Sequence, residues 1–236
     1  MDSSHSGLKS QAANAAVHLL ESGMVVGLGH GSTVAYAVNS LAGRITEGTI
    51  KEIVAITCSK KTESLALRLG ITLADLNDRP VIDMTIDGAD EVDPALNLIK
   101  GGGGALMREK IVAQASKREI IIVDESKLSE TLGTRRTVPI EVSPFGWKTQ
   151  QAYIAELGSP ASLRLGADGG PFQTDQGNFI LDCSVGQIED PAALARQFEA
   201  RAGILEHGLF IQLATDVIVA REKGLQHLKR QLTGNQ

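Results

Sequence analysis

The feature that most constrains this chain is a run of four glycines, Gly101 to Gly104, set between Lys100 and an apolar-periodic stretch. Residues without Cβ atoms can adopt positive φ and approach a ligand closely. Leu106, Ile111 and Val112 then fall near helical spacing, with Ala105, Ala113 and Ala115 between them, so the glycine loop opens a helix. Such a junction offers unpaired N–H groups and the positive end of the helix dipole to an anion. Lys100 stands at the front of the loop and Glu109 inside the first turns of the helix. Shortly upstream lies a second polar cluster, Asp87-Gly88-Ala89-Asp90-Glu91-Val92-Asp93. Two clusters this close, both beside glycine turns, read as one site.

The rest of the first half alternates strand and helix. Ser10 to Ser22 reads as a helix stopped by Gly23, and Met24 to Gly29 as a short buried strand. That strand runs through Gly29-His30-Gly31-Ser32-Thr33 into a helix from Val34 to Leu41. Strand, glycine turn and helix form the phosphate-cradling arrangement of α/β proteins, although Ser32 occupies the place of the dinucleotide fingerprint's third glycine and no Gly-Lys-Ser/Thr follows. A purely structural turn remains an alternative; the Ser32 and Thr33 hydroxyls, able to cap the helix or meet an oxyanion, favour phosphate. Ile53 to Thr57 gives a second strand, Ser59 a cap, and Lys60 to Leu69 a helix. Ile71 to Leu76 and Val81 to Ile86 are further strands, the latter delivering Asp87 to Asp90 at its carboxyl end; Glu119 to Asp124 is another. This alternation predicts a Rossmann-like, doubly wound, mostly parallel sheet.

After Arg135-Arg136 the pattern changes. Strands at Pro139 to Val142, Ser162 to Leu165, Phe179 to Cys183 and Ile204 to Phe210 interleave with helices at Trp147 to Leu157 and from Asp190-Pro191 to Ala202. The order β-α-β-β-α-β is ferredoxin-like. The expected organisation is a Rossmann-like domain over 1–137 and 208–236 with a small α+β domain over 138–207 inserted. Thr215 to Arg221 reads as a strand returning to the first domain, and the remainder as a C-terminal helix.

Composition narrows the function. A net charge of −5 argues against a general role on nucleic acid or a membrane surface. Two distant cysteines, Cys58 and Cys183, make neither a disulfide framework nor a zinc pattern. No signal segment or membrane-length apolar run is visible, so a cytoplasmic protein is expected. The five histidines, His5, His18, His30, His207 and His227, are scattered, and no metal or cofactor is expected. Taken singly, Glu109 is equally served by a solvated helix face, and Asp87 and Asp90 by turn hydrogen bonding. Together, three carboxylates, a lysine and two glycine turns suit a phosphorylated sugar whose carbonyl end undergoes proton transfer.

Gly27-Leu28-Gly29-His30-Gly31-Ser32-Thr33, Asp87-Gly88-Ala89-Asp90-Glu91, Lys100-Gly101-Gly102-Gly103 with Arg108-Glu109-Lys110, and Asp124-Glu125-Ser126-Lys127 together resemble ribose-5-phosphate isomerase type A. Val138 to Val142, Gly177 to Asp182 and Gly208-Leu209-Phe210 match that family too. The resemblance implies a metal-independent aldose–ketose isomerase interconverting ribose 5-phosphate and ribulose 5-phosphate through an enediolate. Glu109 matches the family's general base. Lys100 with the amides of Gly101, Gly102 and Gly103 suits the enediolate oxygens. Asp87, Gly88, Ala89 and Asp90 match substrate-contacting positions, Asp87 being suited to opening the furanose ring. His30, Gly31, Ser32 and Thr33 match the substrate-binding turn, Lys127 a substrate-contacting lysine, and Lys9 a lysine near the site. The family further suggests a homodimer or homotetramer.

Two positions depart from the family pattern. His30 stands where threonine or serine is usual, and a titratable imidazole there is expected to affect phosphate affinity near neutral pH. Cys58 stands where serine is more frequent and is expected to pack. A sugar-phosphate sensor of related fold would carry a helix-turn-helix and a basic face, neither evident here. An acyl-CoA transferase would need its glutamate in another motif.

Overall fold

The structure is a computed structural model that describes residues 3–230 of the chain. In chain order the elements begin with α1 (Ser3–Val17), β1 (Val25–Leu28), α2 (Ser32–Thr46), β2 (Val54–Thr57), α3 (Lys60–Arg68) and β3 (Met84–Asp87). There follow β4 (Glu91–Val92), β5 (Leu98–Ile99), α4 (Leu106–Gln114), β6 (Glu119–Asp124) and a 3-10 turn, Glu125–Lys127. Then come β7 (Val138–Val142), α5 (Trp147–Glu156), β8 (Ala161–Leu163), β9 (Phe179–Cys183) and α6 (Pro191–Glu199). The last are β10 (Ile204–His207), β11 (Leu209–Phe210), β12 (Asp216–Arg221) and β13 (Gly224–Lys229). The chain divides into two compact units, Met1–Gly88 with Val112–Lys127 and Gln212–Gln236, and Ala89–Ile111 with Leu128–Ile211.

The first unit is built on a six-stranded sheet in the order β13-β12-β6-β3-β1-β2, parallel except for the β12–β13 pair. Its inner strands are apolar on both faces, as a sheet covered by helices requires: Ile120, Ile121, Ile122 and Val123 of β6 are all buried. Ala12, Ala13, Ala16 and Val17 of α1 and Val34, Ala37, Val38 and Leu41 of α2 pack into one core with Val26, Leu28 and Ile86 of the sheet. Cys58 packs with Ile56, Ile82 and Val112, the role expected of it.

The doubly wound reading holds, with differences in its elements. α1 begins at Ser3 and ends at Val17 instead of spanning Ser10 to Ser22, because the apolar face that marks it in sequence starts only at Ala12. Ile71 to Leu76 contributes a single bridge, Leu73 to Ala55, instead of a strand. The C-terminal helix is replaced over Gly224–Lys229 by β13, which returns from β12 through the two-residue turn Glu222-Lys223. The final six residues of that expectation lie outside the described residues. Arg118 grips Asp216 at the start of β12 with two hydrogen bonds of 2.9 and 2.7 Å, and His227 of β13 adds a third at 2.7 Å. Burial works against the Asp216 carboxylate, but hydrogen bonds from Arg118, Thr215 and His227 together outweigh it and hold its pKa below the usual carboxylate range. The resulting stability is present above the unfolded carboxyl's pKa, about 3.9, and is lost as pH falls toward the folded value. Asp216→Asn is therefore expected to cost about 1–2 kcal/mol at pH 7, allowing for the solvent reaching Arg118, and progressively less below about pH 4. Urea denaturation of both proteins across that range measures the difference.

In the second unit β7, α5, β8, β9, α6 and β10 follow the β-α-β-β-α-β order, and the sheet order β10-β7-β9-β8 is that of the ferredoxin-like pattern. Phe198, Ile140, Val142, Ile154 and Leu181 form its core. Asp190 caps α6 by accepting from Ala193 N at 2.9 Å, with Pro191 following, as its sequence predicts. The expected final strand is two strands, because Gly208 turns the chain between β10 and β11. β11 pairs with β5, and β5 with β4, in a small antiparallel sheet that the sequence did not announce.

Candidate active site

In the first unit, β6, β3 and β1 lie side by side and run parallel, so their carboxyl ends share one edge. Lys127 follows β6 in its 3-10 turn, Asp87 is the last residue of β3, and His30 to Thr33 follow β1. From β1 the chain passes to β2 on one side, and β3 then lies on the other. The winding reverses there, which is where open α/β sheets bind ligands.

Gly31, at φ +119°, occupies the cap position of α2, and no side chain caps that helix. Ser32 instead accepts from Lys9 Nζ at 2.9 Å. Asp87 is fully buried, and its Oδ1 accepts from His30 N at 3.1 Å and Gly88 N at 2.7 Å. The carboxylate thus holds the glycine turn after β1 by backbone donors. Gly29 is required beside it: a Cβ there would lie 1.9 Å from Asp87 Oδ1.

In the second unit the glycine loop is braced from several directions. Asp90 Oδ2 accepts from Gly102 N at 2.8 Å, while Asp90 N donates to Ile99 O at 2.8 Å. The cluster around Asp90 and the glycine run are therefore joined directly, as their closeness in sequence suggested. Gly101 and Gly104 both have positive φ, +102° and +79°. Arg164 is held by Asp182 through Nε at 2.9 Å and Nη2 at 2.5 Å, and its Nη1 donates to the carbonyls of Gly101 at 2.9 Å and Gly102 at 3.2 Å. Lys100 Nζ lies 3.2 Å from Glu109 Oε1, with the two side chains 2% and 5% exposed. A buried pair of this kind keeps a carboxylate at fixed distance from a cation with little water between.

The neighbouring Lys110 anchors the same helix. Its ammonium binds Glu206 and donates to His207 O at 2.7 Å. Burial lowers the Lys110 pKa, with Glu206 opposing that shift. Burial, and secondarily Lys110, pushes the His207 pKa down to about 3, so its imidazole is neutral at physiological pH. The Phe210 ring lies 5.4 Å from Lys100 Nζ and 5.0 Å from Lys110 Nζ, close enough for cation–π attraction to both. Sequence reading did not single out Arg164, and it marked Phe210 only as part of the Gly208-Leu209-Phe210 match, without a role at the loop. They reach the loop from 62 and 110 residues downstream, and no local spacing marks such a contact.

Ser59, expected as a cap, does cap α3, its Oγ accepting from Thr62 N at 3.1 Å. The other histidines serve structure: His18 bonds Asn14 O in the turn after α1, and His227 bonds Asp216. The His5 side chain lies outside the described residues. Among the described residues no three His, Cys, Asp or Glu side chains are grouped to hold a metal ion, and no helix is long and apolar enough to cross a membrane.

The family described as ribose 5-phosphate isomerase A (phosphoriboisomerase A) matches residues 54–224. The ribose-5-phosphate isomerase A of Chloroflexus aurantiacus is 57% identical over 220 residues, covering 93% of this chain and 92% of that protein. A D-ribose-5-phosphate isomerase solved in complex with phospho-erythronic acid superposes with a TM-score of 0.94 at 39% identity, covering 98% of this chain and 100% of that one. The ribose 5-phosphate isomerase of Plasmodium falciparum gives 0.93 at 36% identity, covering 96% and 100%. This chain belongs to the ribose 5-phosphate isomerase A family.

Proposed function

We propose that Glu109 is the base by which this enzyme interconverts D-ribose 5-phosphate and D-ribulose 5-phosphate. The observation that carries the assignment is the buried Lys100–Glu109 pair at 3.2 Å, a carboxylate and an ammonium kept together at the mouth of a glycine loop. In the aldose-to-ketose direction Glu109 takes the C2 proton of the open-chain sugar, and the electron pair left behind forms the C1–C2 double bond of an enediolate. The proton of the C2 hydroxyl passes to the oxygen on C1, Glu109 returns its proton to C1, and the oxygen on C2 becomes the ketone. A positioned base contributes about 10²- to 10⁴-fold. Lys100 and the amides of Gly101 and Gly103 stabilise the developing oxyanion, while the Gly102 amide is committed to Asp90.

The substrate-binding turn is His30, Gly31, Ser32 and Thr33, with Lys9 and Lys127 contacting the substrate and Asp87 assisting ring opening. Gly88, Ala89 and Asp90 complete the substrate contacts. Support for a phosphorylated ligand comes from the glycine-capped start of α2 and from Lys9 on Ser32. The enzyme is assigned to the cytoplasm, as a homodimer or homotetramer, acting without metal or cofactor. The test is ribulose 5-phosphate formation by the purified protein in EDTA. Rapid turnover spared by chelation is expected, with a light-scattering mass about two or four times 25.0 kDa. Activity that EDTA abolishes and a divalent cation restores would overturn the metal-independent reading. A protein that bound the sugar phosphate without converting it would overturn the reaction.

A further inference from the structure

The second unit buries a carboxylate that the proton transfer does not use. Glu141, on β7, is 0% exposed. Its Oε1 accepts from Thr174 Oγ1 at 2.8 Å and from Asn178 Nδ2 at 2.9 Å, while Oε2 is enclosed without a hydrogen bond. Glu206 of β10 stands opposite it in the sheet, and like charges in that relation destabilise a strand pair. An acid buried at this cost needs a reason beyond packing.

The reason lies in α4, the helix that carries Glu109. The first N–H groups of a helix lack intrahelical partners, and a polar side chain at the cap position ordinarily serves one of them. The residue before Leu106 is Ala105, whose carbonyl accepts from Glu109 N at 3.0 Å but whose side chain holds no acceptor. The Met107 amide, in that first turn, instead meets the Glu141 carboxylate and favours its charged form. The positive end of the helix dipole acts in the same direction. The neighbours of Met107 are held from the same side. Gln176, with its amide oxygen toward Arg108, accepts from Nη2 at 3.1 Å, and Glu206 binds Lys110. Thr174, Gln176 and Asn178 belong to one turn before β9, closed by Thr174 N donating to Asn178 O at 2.9 Å.

We propose that Glu141 is a positioning residue for the proton transfer: braced by Thr174 and Asn178, it anchors the Met107 amide and so fixes the first turn of α4 that presents Glu109 beside Lys100. The proposal rests on the isomerase reading with Glu109 as base, and adds to it a residue that supports the base from another strand.

The test compares kcat and KM for ribose 5-phosphate in Glu141→Gln, Glu109→Gln and the double variant. A carboxylate accepts on both oxygens and an amide on one, so the glutamine cannot serve the Thr174–Asn178 pair and the Met107 amide together. A small displacement of the base then lowers kcat about 10- to 100-fold, with KM within about two-fold, because the loss falls on the transition state. In the Glu109→Gln background the same change should cost less than about two-fold. Thr174→Val, which leaves Glu141 charged but removes one brace, should lower kcat about 2- to 5-fold, and Thr174→Ser should restore it; this pair decides the matter should Glu141→Gln fail to fold. Ile154→Val, in the core of the same unit, should lower Tm and leave kcat within two-fold. A Glu141→Gln enzyme that loses only thermal stability would overturn the proposal, as would Glu141 and Glu109 effects that multiply, or a Thr174→Val enzyme with the parent kcat. Amide exchange over 105–111 should quicken in Glu141→Gln, and exchange as slow as in the parent would overturn the anchor itself. A parent that binds the sugar phosphate without converting it fails the isomerase reading, and the exchange result then still decides the anchor.

Discussion

Glu109→Gln is expected to lower kcat for ribose 5-phosphate by about 10²- to 10⁴-fold while leaving KM within a few-fold. The amide has the shape of the carboxyl, and its oxygen can still accept from Lys100 Nζ, which lies 3.2 Å from Glu109 Oε1. What is lost is the ability to take a proton. An interaction lost only in the transition state appears in kcat and kcat/KM alike, whereas a lost binding contact appears in KM. The substitution also removes the negative charge 3.2 Å from the buried Lys100 ammonium, so a stability cost of about 1–3 kcal/mol accompanies it. The Phe210 ring, 5.4 Å away, still faces that ammonium. Steady-state kinetics beside a thermal melt and calorimetric binding separates the two effects. A folded Glu109→Gln protein that turns over within ten-fold of the parent would remove Glu109 from the proton transfer.

Gly29→Ala is expected to damage both stability and catalysis through Asp87. The added methyl would stand 1.9 Å from Asp87 Oδ1, 2.0 Å from its Cγ and 2.6 Å from its Cβ. Rotation of the carboxyl alone does not relieve a clash that reaches the Cβ, and Asp87 is fully buried, so strand or side chain must move. Overpacking of this kind costs about 1–3 kcal/mol. The displaced carboxylate also gives up the backbone donors of His30 and Gly88, which it now receives at 3.1 and 2.7 Å. With the turn proposed to bind substrate no longer held, kcat/KM is expected to fall about 100-fold, the usual consequence of a displacement near 1 Å. Gly43→Ala supplies the control: it lies inside α2 with nothing within 4 Å of an added Cβ, and should stabilise by about 0.5–1 kcal/mol without touching activity. Parent-like melting and kinetics in Gly29→Ala would show that the Asp87 contact carries neither role.

The sequence marks Gly29 as part of a glycine turn, but the clash that sets it apart from Gly43 could not be read there. It follows from β1 and β3 lying next to each other, which brings Asp87 against a residue 58 positions away. The same limit explains Arg164. Its fork on Asp182 and its reach to the Gly101 and Gly102 carbonyls depend on how β8 and β9 pair. β13 failed as a prediction for another reason. Four of its six residues, Gly224 to His227, and the last, Lys229, are exposed, so it has no apolar stripe to declare its type, and the neighbouring β12 makes it a strand. The short β11 is likewise held by a distant partner, Leu209 pairing with Ile99 of β5, which itself pairs with its near neighbour β4.

What the sequence determined by itself was local. Runs of apolar residues between glycine turns set the strands and helices of the doubly wound sheet. Asp190-Pro191 and Ser59 started their helices, and four consecutive glycines after Lys100 set a loop that no other residues could form as easily. These follow from backbone sterics and side-chain reach within a few residues. The tertiary structure alone decided which distant donors Asp87, Asp90 and Asp216 receive, that Lys100 and Glu109 are buried together, and that His30 is tied to Ser59. Those outcomes depend on burial and on distances between strands, because a hydrogen bond gains its strength and its single partner only where packing has excluded water and competing groups.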